Sequence, residues 1–265
     1  MLTRRTILSL AATPLLRAAS LPDQSAAIVL ERSFPDPGVS YLLLETATGR
    51  VIASRWDHPE EPAPIGSLVK PFTALAYGET HDFHFPVFNC DGNDCWLPQG
   101  HGRMTIATAI AHSCNAYFLD LARDVQPDAL ETVTRRFSLN PPDPWSLPPA
   151  LIGLHGSWRI PPLAIARAYS ELTARSTDRG VHEMLTGMAL SARSGTGRGA
   201  GKGAYVKTGT APCIHEPHQM GDGFTIALYP TDAPRYTLLV RVHGVPGAVA
   251  ASTCGRMRAT LGASK

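Results

Sequence analysis

Two sets of strand-like apolar runs lie at the ends of the chain and enclose a middle with helical spacing. Val39 to Thr46 is rich in β-formers, Ala47-Thr48-Gly49-Arg50 has turn composition, and Val51 to Trp56 repeats the strand pattern, which predicts a hairpin. Leu68 to Tyr77 has helical character, and from Met104 to Val125 two apolar segments with helix-like spacing surround Ser113. Pro141 to Pro149 reads as a proline-rich connector and Pro161 to Thr173 as another helix. Ser194 to Gly203 holds five glycines and is predicted to be loop. Strand patterns return at Ala204–Lys207, Phe224–Tyr229 and Tyr236–Val242, with a turn over Pro230–Pro234. A closing helix follows from about Ala248 to Leu261.

This order predicts an α/β protein of the α+β type. Strands from both chain ends share a mostly antiparallel five-stranded sheet flanked by helices, and a helical subdomain is inserted after the Leu68 helix. A cleft between that lobe and the sheet edge is the expected site.

Composition adds two restrictions. With 265 residues and 44% hydrophobic content the chain can bury a sizeable core, and 17% charged residues is an ordinary globular share. Three basic residues, Arg4, Arg5 and Arg17, fall in the first twenty positions; without them 21 basic residues face 22 acidic ones. No basic field remains to suit nucleic acid. The first segment itself reads as an export signal. Thr3-Arg4-Arg5-Thr6 is a twin-arginine start, Ile7 to Leu16 is a short apolar stretch, and Ala18-Ala19-Ser20 supplies small residues for cleavage. Residues 1–20 are therefore expected to be a signal peptide and 21–265 the catalytic domain, exported to the periplasm or another extracytoplasmic space.

Five cysteines suit an oxidising compartment. Cys90 and Cys95 flank a turn-forming run and are spaced to close a small disulfide loop; Cys213 and Cys254 pair only if the fold joins them. Zinc competes, since His81 and His84 lie near the first pair, but the spacing matches no standard zinc module, so no metal site is expected. His215-Glu216-Pro217-His218 offers none either, because Pro217 breaks the helix that a His-Glu-x-x-His site requires.

Ser67 and Lys70 carry the first candidate chemistry. One helical turn apart, they emerge on the same face. A serine hydroxyl needs a base within reach, and lysine serves only when desolvation or a second cation lowers its pKa. Ile65, Leu68, Val69 and Phe72 supply apolar surroundings, and Pro71 belongs in a first helical turn, which puts Ser67 at the helix N-terminus. Ser113-Cys114-Asn115 offers a hydroxyl and a carboxamide about one residue, or merely a helix cap. Lys207-Thr208-Gly209-Thr210 puts a cation and two hydroxyls at a strand end, where Gly209 admits a ligand backbone. Each run alone is weak, but the three in this order match the set shared by β-lactamases and penicillin-binding proteins.

On these residues the sequence resembles the transpeptidase domain of penicillin-binding proteins, particularly the class B type. Ile65 to Leu75, Gly100-His101-Gly102 with Ala111 to Phe118, and Gly195-Thr196-Gly197 with Val206 to Ala211 all look like that family's stretches. The resemblance implies acylation of Ser67, Lys70 as general base and Ser113 as proton shuttle. Asn115 is then expected to bind the substrate amide. Lys207, Thr208 and Thr210 would hold a terminal carboxylate, with Gly209 lining the same strand. The backbone N–H groups of Ser67 and Thr210 form the expected oxyanion hole, and Cys114 is left to packing. The implied substrates are peptidoglycan stem peptides ending in D-Ala-D-Ala, with β-lactams as covalent ligands and no cofactor. Serine β-lactamase, a penicillin sensor without turnover, and an unrelated exported binding protein are the alternatives. Glu131, Glu171 and Glu183 lack the Glu-x-x-Leu-Asn setting of class A β-lactamases, and Asn115 stands where class D has valine.

Overall fold

The strand-like runs at the two ends of the chain meet in one sheet. A computed structural model describes residues 21–142, 147–213 and 221–263. In it β1 (Val39–Glu45) and β2 (Val51–Arg55) form the predicted hairpin, two residues each make the short strand β3 (Ala63–Pro64) and its partner β6 (Arg159–Ile160), and β4 (Phe88–Cys90) pairs with β5 (Gly102–Met104). β7 (Tyr205–Ala211), β8 (Asp222–Tyr229) and β9 (Tyr236–Val242) complete the main sheet. Its order is β2-β1-β9-β8-β7, every pairing is antiparallel, and β7 is an edge. The expected fold class is thus the observed one.

Burial explains why these strands read as nearly continuous apolar runs. Successive side chains on a strand point to opposite faces, and both faces here are covered. Leu42, Leu44, Ile226, Leu228 and Leu239 join the core shared with the helical middle. Their neighbours Tyr41, Leu43, Ala227, Leu238 and Val240 join a second core against Leu30, Ala251, Cys254 and Met257. Those last residues come from α1 (Leu21–Ser33) and α9 (Gly247–Ala263), which back the sheet. At about 25 cal/mol per Å² of apolar surface, this double burial is the main stabilising contribution.

The helical lobe holds α2 (Lys70–Thr80), α3 (Ile106–His112), α4 (Asn115–Ala122), α5 (Pro127–Arg136), α6 (Pro148–Leu151), α7 (Pro162–Ala174) and α8 (Val181–Ser194). The periodicity anticipated α2, α3, α4, α7 and α9 but not α1, α5 or α8, nor the single turn of α6 at the end of the expected connector. α5 begins on Pro127, an accepted first-turn residue, and buries only Ala129, Leu130, Val133 and Thr134, so its polar face hides the pattern. α8 packs on α3 through Gly187, where an added Cβ meets the Ile110 Cβ at 2.6 Å. The glycine that weakens the helical signal is what allows the close crossing. Positions 143–146 of the proline-rich connector and the His215–His218 run lie outside the described residues.

Candidate active site

Ser67 sits one step ahead of where the sequence places it. Rather than opening the α-helix, it lies in a 3-10 turn, Gly66–Val69, that runs directly into α2. Pro71 occupies the first turn of α2, where its missing N–H costs nothing. Ser67 is 8% exposed, and its hydroxyl has no hydrogen-bond partner among the described residues. The turn is anchored from below, because the buried Tyr169 Oη donates to the Leu68 carbonyl at 2.7 Å.

The two expected lysines are fully buried and converge on one hydroxyl. Lys70 Nζ donates to the Ser113 carbonyl at 2.8 Å and to Asn115 Oδ1 at 2.6 Å, with the Ser113 Oγ at 3.4 Å. Lys207 Nζ donates to Ser113 Oγ at 2.8 Å and to the Thr208 carbonyl at 2.6 Å. Burial pushes the Lys70 amine down to about 7, although the Cys114 and Cys95 sulfurs act the other way. Lys207 is held well below its usual range, by burial first and then by the Lys70 charge. A neutral Lys70 keeps two N–H bonds, matching the two carbonyl-type acceptors at bonding distance. Its lone pair is then free for a hydroxyl.

Ser113, Cys114 and Asn115 do more than cap a helix. Ser113 ends α3 in the left-handed region (φ 52°, ψ 40°), Cys114 precedes α4, and Asn115 opens it. A left-handed non-glycine residue costs on the order of 1–3 kcal/mol and persists where its surroundings fix it. Here the conformation turns both the carbonyl and the hydroxyl of Ser113 toward the lysines. The Phe118 ring, one turn along α4, lies 5.3 Å from Lys70 Nζ.

The third run lies on the sheet edge against the nucleophile turn. Gly66 has φ +62°, and a Cβ there meets the Thr210 carbonyl oxygen at 2.3 Å; one on Gly209 meets the Ile65 oxygen at 2.5 Å. The backbones about Ser67 and Thr210 are therefore packed directly on one another. Thr210 Oγ1 accepts from the Gly247 N–H at 3.0 Å, while the Thr208 hydroxyl pairs with Thr196 Oγ1 at 2.6 Å. Thr196 is the residue whose part was not read from the sequence; its setting between two glycines ahead of Lys207 was the available signal. Gly66→Ala is expected to destabilise the fold by upward of about 2 kcal/mol, combining left-handed strain with overpacking. Denaturant unfolding measures this, and unchanged stability removes the close backbone packing.

Neither pairing that the sequence left open is formed among the described residues: no disulfide joins Cys90 to Cys95 or Cys213 to Cys254, and Cys254 is buried in the core behind the sheet. Cys114 is buried in the main core, in keeping with a packing role, and its sulfur lies 3.8 Å from that of Cys95. His81 stacks on Tyr77 and His84 is exposed beside Asp82, so neither approaches the thiols; His101 does.

A Ser-x-x-Lys turn, a Ser-x-Asn junction and a Lys-Thr-Gly edge strand packed together define the class that comprises β-lactamases and penicillin-binding proteins. Within that class, the chain belongs to the family described as "Penicillin binding protein transpeptidase domain", whose model matches residues 59–257. No curated protein matches the chain. Solved structures with a similar fold include Pseudomonas aeruginosa PBP2 in complex with WCK 5153, at TM-score 0.75 and 18% identity, over 91% of this chain and 74% of that one. A Helicobacter pylori PBP2, in complex with MreC, gives TM-score 0.75 and 15% identity, over 91% of this chain but only 63% of its own. The transpeptidase domain of Burkholderia pseudomallei penicillin-binding protein 3 gives 0.70 and 16%, over 92% and 93%.

Proposed function

We propose that this chain is a serine D,D-transpeptidase-like enzyme acting outside the cytoplasm on D-Ala-D-Ala-ending stem peptides through an acyl-enzyme on Ser67. The observation that carries this reading is the convergence of two buried lysine amines on the Ser113 hydroxyl, beside a serine whose hydroxyl has no hydrogen-bond partner among the described residues. Neutral Lys70 takes the Ser67 proton as Oγ bonds to the carbonyl carbon of the penultimate D-alanine. Charge developing on that carbonyl oxygen meets the backbone N–H groups of Ser67 and Thr210. The C–N bond then breaks, and the terminal D-alanine leaves as an amine with a proton passed through Ser113. Lys207, Thr208 and Thr210 hold its carboxylate, and Asn115 holds the peptide amide. An acceptor amine or water then attacks the ester and restores Ser67. The edge position of β7 suits this, because an extended peptide can add there as a further strand.

A β-lactam enters by the same first step, but its ring nitrogen stays tethered after the C–N bond breaks. Glu131 and Glu171 are held in ion pairs with Arg135 and Arg175 on helix surfaces, Glu183 lies in the first turn of α8, and none of the three stands in the Glu-x-x-Leu-Asn setting that positions a water on the ester. The acyl-enzyme is therefore expected to last. Incubation with a penicillin, followed by intact mass over time, should show one stoichiometric adduct that persists. Drug consumption without an accumulated adduct instead makes the protein a β-lactamase. No adduct and no consumption sinks the reading. A stable adduct without any change in muropeptides identifies a sensor, and product analysis on muropeptides separates cross-linking from trimming.

A further inference from the structure

Three thiols and one imidazole close on a single point beside the second motif. Cys90 ends β4, and its register partner on β5 is Gly102, which sets His101 next to it. Cys95 lies in the loop between, and Cys114 lies in the junction of α3 and α4. Cys90 and Cys95 Sγ are 3.6 and 3.5 Å from His101 Nδ1, Cys95 Sγ is 3.8 Å from Cys114 Sγ, and all four atoms lie within 4.8 Å of one another.

We propose that Cys90, Cys95, His101 and Cys114 bind one tetrahedral zinc ion that pins the Ser113-Cys114-Asn115 junction in place. With Zn–S of about 2.3 Å and Zn–N of about 2.0–2.1 Å, tetrahedral angles put sulfurs about 3.8 Å apart and sulfur and nitrogen about 3.5 Å apart. The observed separations match both. A disulfide needs sulfurs at about 2.05 Å, well inside the spacing of the Cys95–Cys114 pair.

The loop that carries Cys95 is closed by backbone packing: Gly100 has φ +74°, and a Cβ there meets the Cys90 carbonyl oxygen at 2.2 Å. Four protein ligands leave no open position, so the ion is structural rather than catalytic. Its link to chemistry is Cys114, whose two chain neighbours supply the acceptors of the Lys70 amine. Cys114 is a positioning residue in this sense, and that part rests on the proposed acylation of Ser67.

The test uses the full chain purified without chelator. Elemental analysis should give about one zinc per chain, and cobalt substitution should give the sulfur-to-metal charge-transfer and red ligand-field bands of a tetrahedral thiolate site. Cys90→Ser, Cys95→Ser and Cys114→Ser should each weaken binding by more than the about 10–100-fold that outer-contact changes cost. His101→Cys should retain the ion on four sulfurs, while Cys213→Ser should leave it untouched. Removing zinc should slow penicillin acylation, and adding it back should restore the rate. The site is overturned by a folded, metal-free wild-type chain with three titratable thiols or a Cys90–Cys95 disulfide. Zinc that survives Cys114→Ser but leaves with Cys213→Ser also overturns it. Bound zinc without any acylation keeps the site and removes only the enzymatic reading.

Discussion

Ser67→Ala is expected to abolish the penicillin adduct completely while leaving the fold unchanged. The hydroxyl makes no hydrogen bond among the described residues, so its loss breaks no native contact. The 3-10 turn is set by Gly66, by the Tyr169 bond to Leu68 and by the packing of Thr210, none of which uses the serine side chain. Intact mass after prolonged incubation, beside a thermal melt, checks both halves. An adduct on the alanine variant moves the nucleophile elsewhere, and a collapsed melt makes the loss uninformative. In that case Ser67→Cys, which keeps a nucleophile of similar shape, gives the comparison.

Lys70→Ala is expected to slow acylation by about 10²–10⁴-fold, the usual worth of a positioned general base. That is roughly 2.7–5.5 kcal/mol of barrier at 1.36 kcal/mol per decade. The wild-type rate should also carry the signature of the lysine. Below about pH 7 the Lys70 amine holds its proton and cannot accept another, so acylation should rise with pH through that value and then level. Lys207, Cys95, Cys114 and His101 are the ionisable groups that act on it or feel its charge, and removal of Lys70 should erase the rise. Stopped-flow acylation across pH 5.5–8.5 in wild type and variant reads this. An unchanged rate, or a rise that survives the substitution, removes Lys70 from the role of base.

The site was more legible in the sequence than the fold around it, for a physical reason. Ser67 with Lys70 and Ser113 with Asn115 are local pairs, where helical spacing or a short junction decides which side chains share a face. Lys207-Thr208-Gly209-Thr210 announces itself through a glycine that only close backbone approach explains. The strands read well because alternation into two cores leaves them almost wholly apolar. The helices α1, α5 and α8 were missed because each spends much of its surface on solvent or uses a glycine to pack. The left-handed turn at Ser113 closes a local helix end, in which the Cys114 N–H donates to the Ala109 carbonyl at 3.1 Å and the Ser113 N–H to that of Ile110 at 3.3 Å; no glycine stands there to announce it. The grouping of thiols was not legible because tertiary packing assembles it: the β4–β5 hairpin brings His101 to Cys90, and the α3–α4 junction brings Cys114 to the same point.

The junction of the three runs also bears on when the site comes into being during folding. Lys70 reaches Ser113 across 43 positions, and Lys207 reaches it across 94. Contacts of such separation form only after long loops have closed, which slows folding and places them late. Individual helices and the β1–β2 hairpin can form without them. Covalent capture by penicillin is therefore a clock for completed topology: in refolding chains the label should lag the gain of helical signal and coincide with the last recovery of unfolding resistance.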